Sequence, residues 1–382
     1  MAFERCFNVE DFRARARRRL PAPLFHYIDG GADDEWTLRR NVAAFDAYGL
    51  IPEQLRDVAR VDTRVTLLGR ECALPLVLAP TGMSGLFHHE RELGAAGAAS
   101  RFGVPYALST LGTTTMEDVA RATQAMTIFQ IYIFKDRALT REFIERARAC
   151  GVHALCLTVD MAMAGNRERD YRTGMTMPPR FTPASLLDFA RRPDWLINYV
   201  RAPRFTLANV AHRVDALKGG TMPLIEYVNS QFDRVVGWDD VRWLAESWNG
   251  PLIVKGVLSA EDARRARDAG AHAIMISNHG GRQLDGTPAP VECVAAMRDA
   301  VGDTLQLIVD GGVRRGTHVL KALALGADAV SFGRPYLYAL AAGGQAGVER
   351  LLSLFRAEIV RGLTLLGCAS LREIKPHHVI RF

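Results

Sequence analysis

The sequence predicts an α/β protein, a (β/α)8 TIM barrel with a helical N-terminal lead and a long insert between strands 4 and 5. Three observations predict it: eight apolar runs of strand length recur along the chain, most are followed by an alanine-rich helical stretch, and each run closes on polar or glycine residues. The runs are LPLVLAP (74–80), VPYALST (104–110), MTIFQIYI (126–133), HALCLTVD (153–160), PLIVKG (251–256), HAIMISNHGG (272–281), LQLIVDGG (305–312) and DAVSFGRP (328–335). They are continuous and rich in β-branched residues, the pattern of strands buried on both faces of a parallel sheet. Eight such strands alternating with helices close into a barrel. A chain of 382 residues is long for one domain, but a closed α/β barrel with insertions reaches that length. Residues 1–382 are therefore read as one domain, with the barrel at about 74–335.

The other elements follow in order. Residues 8–48 read as a helical lead before the first strand. REFIERARACG (141–151) is a helix closed by a glycine stop signal, and SAEDARRARDAG (259–270) is a helix opened by a Ser259 cap with Asp262 three residues on. A C-terminal helix is expected around 346–366. The stretch 171–250 between the fourth and fifth strands far exceeds an ordinary βα loop of roughly 2–6 residues, so it must do more than connect. In it Phe181, Phe189, Trp195, Tyr199 and Phe205 lie among Arg191, Arg192, Arg201, Arg204 and Arg213. That composition suits an active-site lid, a subunit contact or a peripheral membrane surface, and the aromatics could equally pack inward.

Composition narrows the class. With 48% hydrophobic and 24% charged residues the chain can bury a sizeable core, which excludes a disordered or collagen-like protein. No run of eighteen uncharged apolar residues exists, so no bilayer-spanning helix is expected. A net charge of +6 favours an anionic substrate or an acidic lipid surface only modestly, and no nucleic-acid motif or long basic tract accompanies it. Cys6, Cys72, Cys150, Cys156, Cys293 and Cys368 form no CxxC pair, so reduced thiols in a cytoplasmic setting and no metal site are expected. The opening MAFERCFNVEDF has no apolar core segment and so does not read as a secretory signal.

Active sites of such barrels form at the C-terminal ends of the strands. The residues there are Thr81, Ser109, Gln130 with Tyr132, Thr158 with Asp160, Lys255, His279, Asp310, and Gly333 with Arg334. Any one of them could be an ordinary strand-end hydrogen-bonding group, but eight polar endings together are harder to assign to chance. DGGVRRG (310–316) and FGRP (332–335) carry a phosphate signal: backbone N–H groups beside glycine, a helix starting after Arg315, and charge from Arg314 and Arg334. The alternative is that these glycines merely turn the chain tightly. In SNHGGRQLDG (277–286) an imidazole base and a carboxylate-binding guanidinium, His279 and Arg282, stand three residues apart on a glycine-rich turn.

These motifs, with FHYIDGGADDEWTLRRN (25–41), APTG (79–82), QIY (130–132), TVD (158–160), GNRERD (165–170) and VKG (254–256), resemble the FMN-dependent L-2-hydroxy acid dehydrogenase and oxidase family over essentially the whole chain. The family includes L-lactate dehydrogenase, (S)-mandelate dehydrogenase and glycolate oxidase. The resemblance implies FMN as cofactor and a small 2-hydroxy acid as substrate. It assigns His279 as the base that takes the substrate proton while a hydride equivalent passes to flavin N5, with Asp160 orienting His279 and raising its basicity. Arg282 and Arg167 would hold the substrate carboxylate, with Tyr27 and Tyr132 adding hydroxyl contacts. Lys255 would stand beside flavin N1 and O2, where negative charge accumulates. The ring would lie against Ala79, Pro80 and Thr81 and bond to Ser109, Gln130 and Thr158, while Asp310, Gly312, Arg314, Gly333 and Arg334 would hold ribityl and phosphate.

Gly82, where the oxidases commonly carry alanine, favours a dehydrogenase that passes electrons to quinone or another carrier. Leu111, Met163 and Ala164 imply a pocket larger than glycolate requires. The length of the 171–250 stretch matches members that bind the inner face of the cell membrane, and the resemblance implies a homotetramer. The rival readings are an oxidase that makes H2O2, an FMN barrel of the type 2 isopentenyl-diphosphate isomerase kind, which the His279 and Arg282 pair argues against, and a catalytically silent interaction module.

Overall fold

The computed structural model describes residues 2–176, 178–212 and 221–382, so Arg213 of the sequence reading lies outside the described residues. Eight parallel strands close the barrel: β1 Leu76–Thr81, β2 Tyr106–Ser109, β3 Thr127–Ile131, β4 Ala154–Thr158, β5 Leu252–Val257, β6 Ala273–Ser277, β7 Gln306–Asp310 and β8 Ala329–Phe332. Each pairs with its chain neighbour, and β8 returns to β1 through the register Val330 to Leu76. Every expected run coincides with one strand, Leu76–Thr81 and Leu252–Val257 each continuing one residue past it. Side chains alternate across the wall, so Leu76 and Leu78 join the outer core while Val77 joins an inner cluster with Ala107, Ile128, Ala154 and Ile308. A hairpin of two short strands, Val65–Leu67 and Arg70–Cys72, caps that cluster with Leu67, Leu68 and Cys72. The hairpin touches residues at the strand starts, leaving the opposite end of the barrel open for a site.

The lead forms three helices, Val9–Arg19, Ala22–Asp29 and Trp36–Ala43. Two of the expected helices have the predicted punctuation. Arg137–Ala149 ends before Gly151, whose φ of +68° suits glycine, and Ser259 accepts the backbone N–H of Asp262 at 3.1 Å to open Ala260–Asp268. The C-terminal helix differs from expectation. It starts at Arg334 and continues to Leu366 through a break at Gly343 and Gly344. At Gly344 φ is +61° and a Cβ would come within 2.2 Å of the Glu90 carboxylate, so the kink requires glycine there.

The stretch 171–250 is not one insert. Its last helix, Trp238–Trp248, buries Val241, Leu244 and Trp248 and is the crossover that a parallel β4 to β5 connection needs in any case. Before it come Glu168–Thr173, Pro183–Ala190, Pro193–Arg201 and Thr221–Gln231. The aromatics mostly turn inward: Phe181 packs on Phe189, Phe189 on Trp195 and Trp195 on Tyr199, with ring centroids 4.9, 5.0 and 5.1 Å apart. Phe181, Phe189, Trp195 and Phe205 are partly buried against the core, and only Tyr199 of the five is exposed. Beside Tyr199, Asp194 and Arg201, the two middle helices show solvent an aliphatic set: Leu186, Leu187, Leu196, Ile197 and Val200. They are anchored to the body by the Asp188 carboxylate accepting Ala22 N–H, by Arg192 donating to the Arg18 carbonyl at 2.7 Å, and by the Trp195 indole donating to the Leu86 carbonyl at 2.8 Å. Among the described residues no helix is long and apolar enough to cross a membrane.

Candidate active site

At the open end of the barrel lies a cavity of about 800 Å³, within the range of small-molecule and cofactor sites. Ala79, Pro80 and Thr81 from β1 line it, as do Ser109, Gln130, Tyr132, Thr158 and Lys255 from the ends of β2 to β5. His279 and Arg282 follow β6, Asp310, Gly312 and Arg314 follow β7, and Gly333 and Arg334 follow β8. Tyr27 from the lead and Arg167 from the loop after β4 complete the wall. The cavity thus brings together every site residue read from the sequence except Asp160, which stands behind His279.

His279 Nδ1 lies 3.0 Å from Asp160 Oδ1. An ionised carboxylate can only accept, so Nδ1 carries the proton and Nε2 is left to serve as a base. Burial lowers the imidazole pKa below its ordinary value. Asp160 pushes it back up, but Lys255 and Arg282 add to the fall. The expectation that Asp160 raises the basicity of His279 holds for its own contribution and is outweighed by removal from water. The Asp160 carboxyl is held below its ordinary pKa: burial pushes it up, and the nearby His279 and Lys255 more than reverse that.

Backbone conformation puts the imidazole there. His279, Gly280 and Gly281 all have left-handed φ, at +57°, +66° and +72°. For histidine that conformation costs about 1–2 kcal/mol, so it persists only where neighbours hold it. The holders are Ser277, whose Oγ accepts the His279 N–H at 3.1 Å, and Arg334, which donates to the Gly280 carbonyl at 2.7 Å. Ser277 does more: it receives the Lys255 ammonium at 3.0 Å and donates to Asp310 at 2.8 Å. Lys255 is buried, which disfavours its charge, yet Asp310 and Asp160 raise its pKa above the ordinary value, keeping a fixed cation in the cavity wall.

The guanidiniums differ in how fully the protein occupies their donors. Arg334 spends three donors on the carbonyls of Ile28, Gly280 and Gly30, so much of its hydrogen bonding ties the lead to the His279 turn. Arg314 bonds only the carbonyl of Val313 and pairs with no carboxylate among the described residues; burial lowers its pKa to about 10. Arg282 donates to the carbonyls of Tyr27 at 2.6 Å and Gly30 at 3.2 Å, and burial with Arg167 beyond it lowers its pKa to about 10. Arg282 and Arg167 both stand over the Tyr27 ring, 4.9 and 5.6 Å from its centroid.

Sequence reasoning missed several supports. Tyr336 reaches back to β1, donating to the Ala79 carbonyl at 2.9 Å and bonding Thr81 Oγ1, from the position immediately after the GRP motif, where nothing local marks that reach. Ser277 lay inside a quoted motif but pointed to no chemistry of its own. Asp285, also in that motif, accepts the backbone N–H groups of Trp36 and Thr37 at 3.1 and 2.7 Å and so fixes the third lead helix beside the site. Gln130 spends its side chain internally, accepting from Ser109 at 3.0 Å and donating to the Ile131 carbonyl at 3.1 Å.

Fold and site define a barrel enzyme with a polar cavity at its strand ends, and comparison with known proteins gives its family. A model of the FMN-dependent dehydrogenase family matches residues 16–381, and the chain belongs to that family. It is 41% identical to an L-lactate dehydrogenase of Allorhizobium ampelinum over 97% of this chain and 98% of that protein, and 40% identical to one of Pseudomonas aeruginosa over 97% of each. Among solved structures it resembles a monotopic membrane protein, (S)-mandelate dehydrogenase, with a TM-score of 0.95, 36% identity and coverage of 99% of this chain and 100% of that one. A mandelate oxidase variant with (S)-mandelic acid matches with a TM-score of 0.82 and 35% identity over 98% of each chain.

Proposed function

We propose that the chain oxidises an L-2-hydroxy acid of the lactate or mandelate type to the 2-oxo acid and hands the electrons to quinone or another carrier. The observation that carries this reading is the His279 and Asp160 pair beside Arg282 and Arg167 in one cavity. When bound, FMN would supply the two-electron acceptor for this oxidation, which the chain's own side chains lack. The residues present fit that cofactor. Arg314, a partly buried guanidinium without a carboxylate, and the N–H groups around Gly312 and Gly333 suit a phosphate, and Lys255 suits the charge a ring gains on reduction. Ala79, Pro80 and Thr81, buttressed by Tyr336, offer a firm wall for the ring, with Ser109, Gln130 and Thr158 as polar partners and Asp310 on the ribityl side.

In this mechanism Arg282 and Arg167 bind the substrate carboxylate, and Tyr27 and Tyr132 bound the space around the reacting carbon. His279 Nε2 takes the hydroxyl proton, and Asp160 stabilises the imidazolium that results. Anaerobic addition of L-lactate or (S)-mandelate should bleach the flavin, whereas the D or R enantiomers should not. A flavin that no 2-hydroxy acid reduces would overturn the proposal.

The acceptor is tested at Gly82. A methyl there would meet Leu111 Cβ at 3.1 Å, a contact that needs a few tenths of an ångström of adjustment. Gly82→Ala should keep FMN and substrate reduction while speeding reoxidation of the reduced flavin in air-saturated buffer, followed by stopped flow. Oxidase-like reoxidation in the unaltered protein, unchanged by alanine, would replace the carrier reading with O2 and H2O2.

The aliphatic face of Pro183–Ala190 and Pro193–Arg201 is read as the part that lies on a membrane, with exposed Arg191, Arg201 and Arg204 meeting anionic headgroups. The monotopic neighbour supports this reading. The protein should sediment with anionic liposomes, and salt should weaken but not abolish binding, because only the arginine share is screened over a Debye length of about 10 Å at 0.1 M. The triple change Leu196→Asp, Ile197→Asp and Val200→Asp should abolish sedimentation and leave anaerobic flavin bleaching intact. No liposome binding by the unaltered protein at any ionic strength would count against the membrane and weaken the quinone.

A further inference from the structure

Asp170 belongs to no role assigned so far, yet it lines the same cavity, with a side chain only 8% exposed. It sits in the short helix Glu168–Thr173, three residues beyond Arg167, and its Oδ2 lies 3.4 Å from Arg167 Nε. Among the described residues no other carboxylate pairs with Arg167 or Arg282. The two guanidiniums share the Tyr27 ring, so their like charges crowd one another. Burial holds the Asp170 carboxyl above its ordinary pKa, against the opposing pull of Arg167 and then Arg282, the two cations it faces.

We propose that Asp170 is a positioning residue: its carboxylate takes the Nε edge of Arg167, turns the two terminal nitrogens toward the substrate carboxylate, and offsets one of the two positive charges gathered there. The proposal rests on the reading of Arg167 and Arg282 as the substrate clamp. Nε is the edge a guanidinium can spare while keeping its two Nη groups for a carboxylate. Arg282 is held differently, by main-chain carbonyls, so Arg167 is the arm of the clamp whose aim depends on a side chain. Without Asp170 the arm keeps its charge and loses its direction. The substrate anion should then still bind while its α-carbon is misaligned.

The test is a cycle of Asp170→Asn, Arg167→Met and the double variant, assayed as holoenzyme. Asp170→Asn should hold FMN and melt within a few degrees of the unaltered protein. It should slow anaerobic flavin reduction by (S)-mandelate or L-lactate about tenfold or more and leave KM nearly unchanged or lower. The double variant should be no slower than Arg167→Met alone, because the only route by which Asp170 acts has already been removed. Asp170→Glu, which restores the charge on a longer stem, should recover part of the rate. If Arg167→Met itself reduces flavin normally, the clamp reading falls. If Arg167→Met is slow but Asp170→Asn multiplies its loss by the same factor as in the unaltered background, or leaves the rate unchanged there, the positioning role is overturned. Should Asp170→Asn fail to fold, Asp170→Glu takes its place in the cycle: a reduced rate that disappears in the Arg167→Met background supports the role, and a loss by the same factor in both backgrounds overturns it.

Discussion

His279→Gln should retain FMN and lose flavin reduction by substrate by several orders of magnitude, more than the ~10²–10⁴ that general acid–base catalysis alone supplies. Glutamine can fill part of the space but accepts no proton at neutral pH. The loss exceeds a proton-transfer effect because the same side chain fixes the hydroxyl and sits against a carboxylate that stabilises the cation it becomes. Cofactor retention is expected because the ring and phosphate contacts proposed here come from other strands, and the Arg334 bond to the turn involves the Gly280 carbonyl. The measurements are flavin content and anaerobic stopped-flow reduction. A variant that lost FMN while its residual holoenzyme kept the rate would show the role to be wrong. The pH dependence has a definite sign. The base works when deprotonated, so activity falls as pH drops through the His279 pKa, and burial sets that pKa below the ordinary value. The acid limb of kcat/KM should therefore lie below about pH 6.5, and Asp160→Asn, which removes a contribution that raises it, should move the limb lower still.

Arg282→Met should weaken 2-hydroxy acid binding and slow flavin reduction together. A bidentate carboxylate partner is lost, worth about 1.5–3 kcal/mol for a hydrogen bond to a charged group, or roughly tenfold to a hundredfold in affinity. The rate falls as well, because the carboxylate is the handle that aligns the reacting carbon. Methionine nearly preserves the length of the side chain and removes the donors to the carbonyls of Tyr27 and Gly30, so some loosening of the lead is expected too. Competitive inhibition by oxalate separates the effects: a poorer Ki with unchanged flavin content indicates the clamp, whereas flavin loss indicates the lead. Unchanged kinetics would exclude the two-arginine clamp.

What could be read from the sequence follows from where the physical signal is local. A doubly buried strand needs a continuous apolar run, and the residue that ends it must be polar or small where it faces a cavity, so eight strands and their terminal residues were legible. Ser259 and Gly151 were legible because caps and stops act within one turn. Tyr336 was not, because its reach to β1 spans the closure of the barrel and leaves no trace in the residues beside it. The crossover role of Trp238–Trp248, at the far end of 171–250, leaves no local mark, since this amphipathic helix looks in sequence like the helices before it. Inward packing of Phe181, Phe189 and Trp195 was likewise invisible, because an aromatic side chain suits a core and an interface equally. The net basicity of His279 balanced burial against three charges, and sequence shows neither burial nor distance.

The carbonyls of Tyr27, Ile28 and Gly30 have a consequence for what counts as the enzyme. They hold Arg282 and Arg334, while Tyr27 itself lies beneath two guanidiniums. A chain shortened past Gly31 would keep all eight strands and every strand-end side chain, and by a strand-by-strand comparison it would count as intact. Arg282, the arginine proposed to bind substrate, would nonetheless have lost both main-chain acceptors and the ring it rests on, so on that proposal the smallest catalytic unit is larger than the barrel and takes in the helices that precede it.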